Sequence, residues 1–178
     1  MAGALAVGAV LLVGCQSVAT RAETAASTPT VAGAHPRSPQ PRSGRPRATR
    51  PSTPVEGRCP YVDADSVAGV VGQHISHATV TPTRPHPGCS FYRPNGERAV
   101  DVAVSMLPGP VQAQNEAISI GGRAAGPVDG LGDGGVVAVT ADGAVLAVSK
   151  GRTLLVIRIN QRSSLEAKEI ARYVVNRI

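Results

Sequence analysis

Histidines and cysteines are the residues of this 178-residue chain that could bind a metal. Three histidines, His74, His77 and His86, lie between Cys59 and Cys89. Their spacing fits no zinc-ligand pattern, and the prolines on both sides of His86 indicate an exposed loop. On a strand, His74 and His77 would point to opposite faces. We therefore expect solvated surface histidines and no metal site.

Acidic and serine residues offer little for catalysis. Asp63 and Asp65 could act as paired carboxylates, but both precede an apolar helical segment, where helix capping explains them. The sequence contains no G-x-S-x-G elbow, and no serine stands in a nucleophile motif beside a plausible histidine and aspartate. We predict no catalytic residue and no cofactor.

The glycine-rich segment 130–135 formally matches the G-x-G-x-x-G pattern of dinucleotide sites. Such a site requires the pattern after a strand and at the start of a helix. Here it follows a loop and leads into the apolar residues 136–139, which favour a strand. We therefore expect these glycines to supply positive φ angles in a turn, and we expect no nucleotide.

Cys15 closes the first apolar run of the chain. Every residue from Ala2 to Gly14 is Ala, Gly, Val or Leu, and the run is shorter than the about 20 residues of a membrane-spanning helix. The segment 12–15 resembles the lipobox of bacterial lipoproteins, in which lipid is attached to the cysteine and the chain is cut just before it. The resemblance implies a signal peptide over residues 1–14 and a lipid anchor on Cys15, at the extracytoplasmic face of the cell membrane.

The apolar run departs from the usual signal pattern because no Lys or Arg precedes it. We therefore expect that the true start lies upstream or that the chain is truncated. A plain secretory peptide and the end of a clipped transmembrane helix are the alternatives.

Residues 15–58 have the composition of a linker, rich in Pro, Ser, Thr, Ala and Arg. Such a segment cannot bury enough apolar surface to offset the entropy of ordering it, so we expect disorder. The linker holds seven arginines against two glutamates, whereas residues 59–178 hold eleven basic against ten acidic residues. The folded part is therefore predicted to lack a basic patch, and nucleic acid is not an expected partner. Anionic lipid headgroups or wall polymers are better partners for the linker arginines, unless the linker binds nothing.

Cys59 and Cys89 remain as an even pair if Cys15 carries lipid. In an oxidising compartment a disulfide is the default expectation for such a pair. Closing a loop of about 30 residues would stabilise the fold by about 3.5 kcal/mol on the chain-entropy model. A metal site or free thiols are the alternatives.

Alternating apolar residues predict antiparallel strands in residues 59–178. The predicted strands are, in order, 74–81, 90–92, 100–106, 136–140, 144–149 and 153–159. The turn pairs Asp142-Gly143 and Lys150-Gly151 predict that the last three strands form a meander.

Three helices are predicted around these strands. The first ends at Gly72, the second covers residues 111–118, and the third begins with a capping box of Ser163 and Glu166. Apolar residues at helical spacing mark one stripe of the third helix: Ala167, Ile170, Ala171, Val174, Val175 and Ile178. The order αβββ-αβββ-α predicts a single α+β domain over residues 59–178, with antiparallel sheets and helices packed on one face.

Three segments of the folded part are distinctive: Cys59-Pro60-Tyr61, Gly72-Gln73 and the residues 88–92. They resemble a family of actinobacterial envelope proteins known as the domain of unknown function number twenty-twenty. An alternating strand and an amphipathic C-terminal helix follow, so that the resemblance covers about residues 58–178. It implies an exported, often membrane-tethered domain with a Cys59–Cys89 bridge and no assigned catalytic residues.

Three functions are compatible with these features. The anchor, the linker and the lack of a catalytic constellation favour a non-catalytic interaction module of the cell envelope, which binds a protein or a wall polymer. A carrier or sensor of a small apolar ligand is the alternative, with a cavity lined by residues such as Val102, Val104, Leu155 and Ile157. The third is an envelope hydrolase, which would need a cleft of convergent polar residues with shifted pKa values.

Overall fold

The computed structural model describes residues 52–178, which form an eight-stranded antiparallel sheet with three helices. The helices are α1 (Ala64–Val71), α2 (Pro110–Gly121) and α3 (Ser164–Val175). The strands are β1 (Val55–Glu56), β2 (His77–Thr81), β3 (Gly88–Tyr92), β4 (Arg98–Met106), β5 (Gly126–Val128), β6 (Gly134–Thr140), β7 (Gly143–Lys150) and β8 (Thr153–Ile159). The predicted α+β fold class is confirmed.

The strand order in the sheet is β1-β2-β3-β4-β8-β7-β6-β5. Strands β2 to β4 form one meander and β5 to β8 form another, and α2 connects the two. The meanders join where β4 pairs with β8, from Val100 opposite Ile159 to Met106 opposite Thr153. The centre of the sheet therefore depends on pairing between strands that are distant in sequence.

Two short strands, β1 and β5, extend the predicted order of elements. β1 lies within residues 15–58, where composition predicts disorder, and pairs with the outer edge of β2. β5 lies in the predicted loop just before the glycine-rich segment 130–135 and pairs with β6. Its Pro127 is tolerated because β5 is an edge strand. With two and three residues, these strands are too short for alternation to reveal them.

The first face of the sheet carries the main hydrophobic core. Buried residues of the central strands, such as Val102, Leu146 and Ile157, form one cluster with buried residues of α1 and α3. The helix residues in this cluster are Val67, Val71, Ala167, Ile170, Ala171, Val174 and Val175. The predicted apolar stripe of the third helix is thus its buried face, except that Ile178 lies beyond the end of α3 and is only partly buried.

Helix α2 packs on the second face of the sheet. Along β7, Leu146 belongs to the first-face core, whereas the next residue, Ala147, clusters with Ala117 of α2. The prediction that all helices share one face is therefore wrong for α2. Only the small residues Ala113 and Ala117 of α2 are buried, and such residues do not mark an apolar face in the sequence.

The helix ends follow partly from capping. Asp63 caps α1, and Gly72 ends it in the left-handed conformation with φ +61°. Ser163 is the N-cap residue of α3 as predicted, but it makes no capping hydrogen bond, and Oε2 of Glu166 has no partner within residues 52–178. The start of α3 therefore depends on burial of its apolar stripe, and not on a capping box. Within these residues, no helix has the length and apolar character needed to cross a membrane.

Candidate functional site

The second face of the sheet is open over β2, β3 and β4, because α2 packs over β6, β7 and β8. Along β4, Val102 and Val104 are buried in the first-face core. Asp101, Ala103 and Ser105 alternate with them and therefore point to the second face. This open surface consists of polar and small side chains.

Asp101 is held in this open surface by two hydrogen bonds. Oγ of Ser90 on β3 donates to Oδ1 at 2.5 Å, and Nη1 of Arg98 donates to Oδ2 at 2.8 Å. The hydrogen bond to Asp101, together with its charge, raises the pKa of Arg98. Arg158 on β8 is the register partner of Asp101 on the other side. The carboxylate thus binds side chains of β3 and β4, and Arg158 of β8 lies next to it in the sheet register.

A groove of about 720 Å³ runs over these residues. The loop between β2 and β3 lines one side of it and contributes Arg84, while Arg98 and Arg158 come from the sheet. We call this site the arginine groove. It is defined by Arg84, Ser90, Arg98, Asp101 and Arg158.

Positive charge dominates the arginine groove. Three guanidinium groups face one carboxylate, which gives a net charge of +2. The Arg98 side chain is 58% exposed and forms an ion pair with Asp101, whose side chain is 24% exposed. Arg84 and Arg158 are exposed, and within residues 52–178 neither makes an ion pair or a side-chain hydrogen bond. Two guanidinium groups therefore remain available to an anion.

An aromatic pair lies beside the groove. The rings of His77 and Tyr92 are stacked, with centroids 4.8 Å apart and an interplanar angle of 4°. Tyr92 is the register partner of His77 on β2 and of Arg98 on β4. His77 is half-buried in this stack, which corrects the prediction of a solvated side chain, whereas His74 is exposed as predicted and precedes β2.

Ser76 and His77 lack the third group of a catalytic triad. Oγ of Ser76 lies 3.0 Å from Nδ1 of His77 and 3.1 Å from the carbonyl oxygen of Tyr92, and its one proton can be donated to either. A nucleophilic serine donates to its base, and a third group orients that base. No carboxylate within residues 52–178 forms a hydrogen bond with His77.

A second cavity of about 490 Å³ lies beside the disulfide and is lined by Asp63, Asp65, His77 and Cys59. Oδ1 of Asp63 accepts a hydrogen bond from the backbone N–H of Ser66 at 2.8 Å, and Oδ2 accepts from its hydroxyl at 2.9 Å. These bonds lower the pKa of Asp63. Both oxygens of Asp63 are thus engaged at the helix start, and the capping interpretation is confirmed for this residue.

Cys59 and Cys89 form a disulfide, with Cα atoms 5.7 Å apart, and the predicted pairing is confirmed. The bond engages both sulfurs that could have joined the histidines as metal ligands. His86 lies in the β2–β3 loop, where its carbonyl oxygen accepts a hydrogen bond from Oγ1 of Thr83. No cluster of three metal-binding residues occurs in the described part of the chain. Cys15 and the predicted signal peptide lie outside the described residues.

The G-x-G-x-x-G segment forms the turn into β6. Gly130, Gly132 and Gly134 have φ angles of +73°, +56° and +113°, which are strained for residues with a side chain. The segment enters a strand and not a helix. Its interpretation as a strand-entry turn is confirmed.

The residues predicted to line an apolar ligand cavity belong to the first-face core. Val102, Val104, Leu155 and Ile157 are all buried there, in one contact cluster with residues of α1 and α3. Helix side chains of this chain therefore pack where a small apolar ligand was expected to lie.

The arginine groove was not predicted from the sequence. Arg84, Arg98 and Arg158 are far apart in the chain, and the near-neutral charge of residues 59–178 predicts no basic patch. That prediction is wrong, because the fold brings the three arginines to one groove. The alternation of Asp101 with buried valines could have identified the polar face of β4, but the position of Arg158 depends on a β4–β8 register that has no local signal.

These features define a single α+β domain with a disulfide near its first helix and a basic groove on an open sheet face. The model of a protein family described as Domain of unknown function (DUF2020) matches residues 43–178, and the chain belongs to this family. The family predicted from the Cys59-Pro60-Tyr61 and 88–92 segments is thus confirmed. No curated protein matches the chain. Because the family description names no activity, a function has to be argued from the groove.

Proposed function

We propose that this protein is a lipid-anchored, extracytoplasmic interaction module without catalytic activity. Lipid on Cys15 would hold it at the cell membrane, and the residues between Cys15 and β1 would act as a spacer. The arginine groove would bind the partner, an envelope protein or a wall polymer. The observation that carries the proposal is the pair of guanidinium groups, on Arg84 and Arg158, that have no acidic partner within residues 52–178.

The chemistry of the groove suits binding better than catalysis. A guanidinium group stays protonated at physiological pH, so it donates hydrogen bonds and does not act as a general base. Both oxygens of Asp101 already accept hydrogen bonds, and the hydroxyl of Ser90 is engaged as a donor to this carboxylate. The groove therefore presents fixed donors to an anion and offers no free base.

Membrane fractionation tests the anchor. Cys15→Ala removes the only cysteine of the first 58 residues, so we expect the protein to leave the membrane fraction. Gln16→Ala, at the neighbouring position, is the control and should stay with the membrane. A Cys15→Ala protein that stays in the membrane fraction would contradict a lipid anchor and favour a transmembrane segment.

Site-specific photocrosslinking in living cells tests the groove. A photoreactive amino acid at Ala103, on the groove floor, should capture a reproducible partner. The same amino acid at Tyr173, which is exposed on α3, should not capture that partner. Combining Arg84→Gln with Arg158→Gln should abolish capture at position 103, because both free guanidinium groups are then lost.

Two results of this experiment would contradict the proposal. Capture at position 103 that persists without Arg84 and Arg158 would show that the groove does not select its partner. Failure to capture any reproducible partner at position 103 would count against an interaction module.

A further inference from the structure

We propose that the partner of the arginine groove is an anionic glycan whose repeating units carry phosphate or carboxylate groups. This inference rests on the proposed function and specifies the ligand of the same site. It follows from the charge of the groove, from its shape and from the residues that line it.

The charge of the groove matches an oxyanion. Arg84 and Arg158 have no acidic partner within residues 52–178, and Arg98 is only partly neutralised by Asp101. A guanidinium group is planar and presents parallel N–H donors, which match the two oxygens of a carboxylate or a phosphate. The three arginines come from a loop and two separate strands but line one groove. A ligand that lies along the groove therefore contacts more than one of them.

The shape of the groove favours a chain over a single small ion. A second depression of about 170 Å³ adjoins the groove at the other end of β4, and Arg98, Asp101 and Arg158 line both. The adjoining depression continues to Asn160 and Asp142, so it adds a carboxylate and no further arginine. A linear polymer can lie across both depressions if its negative charges meet the three arginines and an uncharged part of the chain passes Asp142.

Small side chains line the floor of the groove, from Gly88, Ser90, Ala103 and Ser105, and they leave room for a sugar chain to approach the sheet. The two serines can form hydrogen bonds, and Met106, which is 49% exposed, adds an apolar surface. Energetic hot spots of protein interfaces are enriched in Trp, Tyr and Arg and lie in well-packed pockets. This groove supplies arginines but no aromatic side chain, so a protein partner is the weaker match.

The same lining disfavours nucleic acid and a lipid surface. Single-stranded nucleic acid is held by bases stacked on exposed aromatic rings, whereas the nearby Tyr92 ring has one face covered by His77.

A bilayer surface is broad and meets protruding basic side chains. Here the arginines line a concave groove beside the β2–β3 loop.

Direct binding measurements with the full chain in neutral detergent test the inference. The probes are immobilised dextran phosphate, polygalacturonate, poly-glutamate, a single-stranded oligonucleotide and neutral dextran. We expect binding to one or both anionic polymers of the first pair. The one that binds more tightly distinguishes phosphate from carboxylate.

Arginine variants connect this binding to the groove. Combining Arg84→Gln with Arg158→Gln should weaken binding by about tenfold or more, since hydrogen bonds to charged groups contribute on this scale. Arg177→Gln removes an exposed arginine outside the groove and should change affinity by less than about twofold. Replacing Arg84 and Arg158 by Lys keeps the charge but loses the planar fork, so we expect an intermediate loss. The linker arginines contribute equally to all variants.

Three results would overturn the inference. The first is wild-type affinity in the variant that lacks both Arg84 and Arg158. The second is tighter binding to poly-glutamate or the oligonucleotide than to either anionic glycan. The third is no binding to either anionic glycan. If arginine-dependent crosslinking at Ala103 persists in any of these cases, the interaction module stands and only its ligand class is wrong. If that crosslinking also fails, both proposals fail.

Discussion

Tyr61 is a buried residue whose hydroxyl group lacks a hydrogen-bond partner within residues 52–178. Its side chain is 4% exposed. A buried hydroxyl without a partner lowers stability, because it has lost its bonds to water. Burial also raises the pKa of Tyr61, since the phenolate would lose its solvation.

Tyr61→Phe should therefore leave the free energy of unfolding unchanged or raise it by up to about 1 kcal/mol. The pH dependence follows from the raised pKa. Tyr61 ionises more readily in the unfolded chain, near pH 10, than in the folded protein. Deprotonation therefore favours the unfolded chain, and the free energy of unfolding falls as the pH rises from the unfolded pKa through the folded pKa. Urea titrations at pH 7 and above pH 10 should show a smaller alkaline loss for the variant.

Tyr173→Phe is the control for this prediction, because Tyr173 is exposed on α3. It should leave both the stability at neutral pH and the alkaline loss close to those of the wild type. A loss of 1 kcal/mol or more in Tyr61→Phe would contradict the prediction and indicate that the hydroxyl has a bonding partner such as water.

Single residues with local roles were predictable from the sequence. Asp63 caps α1 because a short side chain before a helix can reach the N–H groups of the first turn. The glycines of segment 130–135 were predictable for a similar reason, since φ angles depend on local sterics. The Glu166 side chain was not predictable in this way, because burial of the α3 stripe decides how that helix begins.

At the scale of elements, Gly135 shows how closely β6 and β7 pack. A Cβ atom at this position would lie 2.1 Å from the carbonyl oxygen of Ala147 and 2.8 Å from Cα of Val148. Both are backbone atoms of the paired strand, so they cannot move aside without disturbing the β6–β7 ladder. The position therefore requires glycine for close approach.

Gly135→Ala should lower the free energy of unfolding by at least about 2 kcal/mol, because the added methyl group forces β6 and β7 apart. Gly126→Ala is a matched control in β5, where a Cβ atom would meet nothing within 4 Å. We expect a change within about 0.5 kcal/mol for the control. Equal effects of the two substitutions in thermal or urea unfolding would contradict this account.

Elements with a clear apolar pattern were predictable, and elements without one were not. The meander from β6 to β8 follows from alternation and from its tight turns. β1 and β5 contain too few residues to show alternation. The face on which α2 packs was not predictable for another reason: its buried residues are alanines, whose high helix propensity suits any face of a helix.

At the scale of the whole molecule, the disulfide joins the segment before α1 to a strand in the interior of the sheet. Cys59 precedes α1 and Cys89 lies in β3, with a sequence separation of 30. The bond thus restricts the loop that contains α1 and β2. In the chain-entropy model this restriction mainly destabilises the unfolded state.

Replacing both Cys59 and Cys89 by Ala should lower the free energy of unfolding by about 3.5 kcal/mol, the value expected for a closed loop of about 30 residues. Both residues are also buried, so part of any loss could come from packing. Reduction of the wild type with a thiol reagent is the matched control, because it breaks the bond and keeps the side chains. A change below about 1 kcal/mol on reduction would contradict a stabilising role.

The arginine groove also belongs to this scale, which explains why the sequence did not predict it. Arg98 and Arg158 become neighbours only when β4 pairs with β8, and Arg84 joins them through the β2–β3 loop. Net charge averages over the whole domain and cannot report such a local cluster.

If the chain is anchored through Cys15, as we propose, the disulfide has a mechanical consequence. Tension along the chain would first separate the two residue pairs that join β1 to β2 and the hydrogen bond from Gly57 N–H to the carbonyl oxygen of Ala78. The covalent bond from Cys59 to β3 comes next, so the load would enter the sheet there and leave α1 unstretched. In a reducing medium the same tension would instead continue into α1 and unwind it.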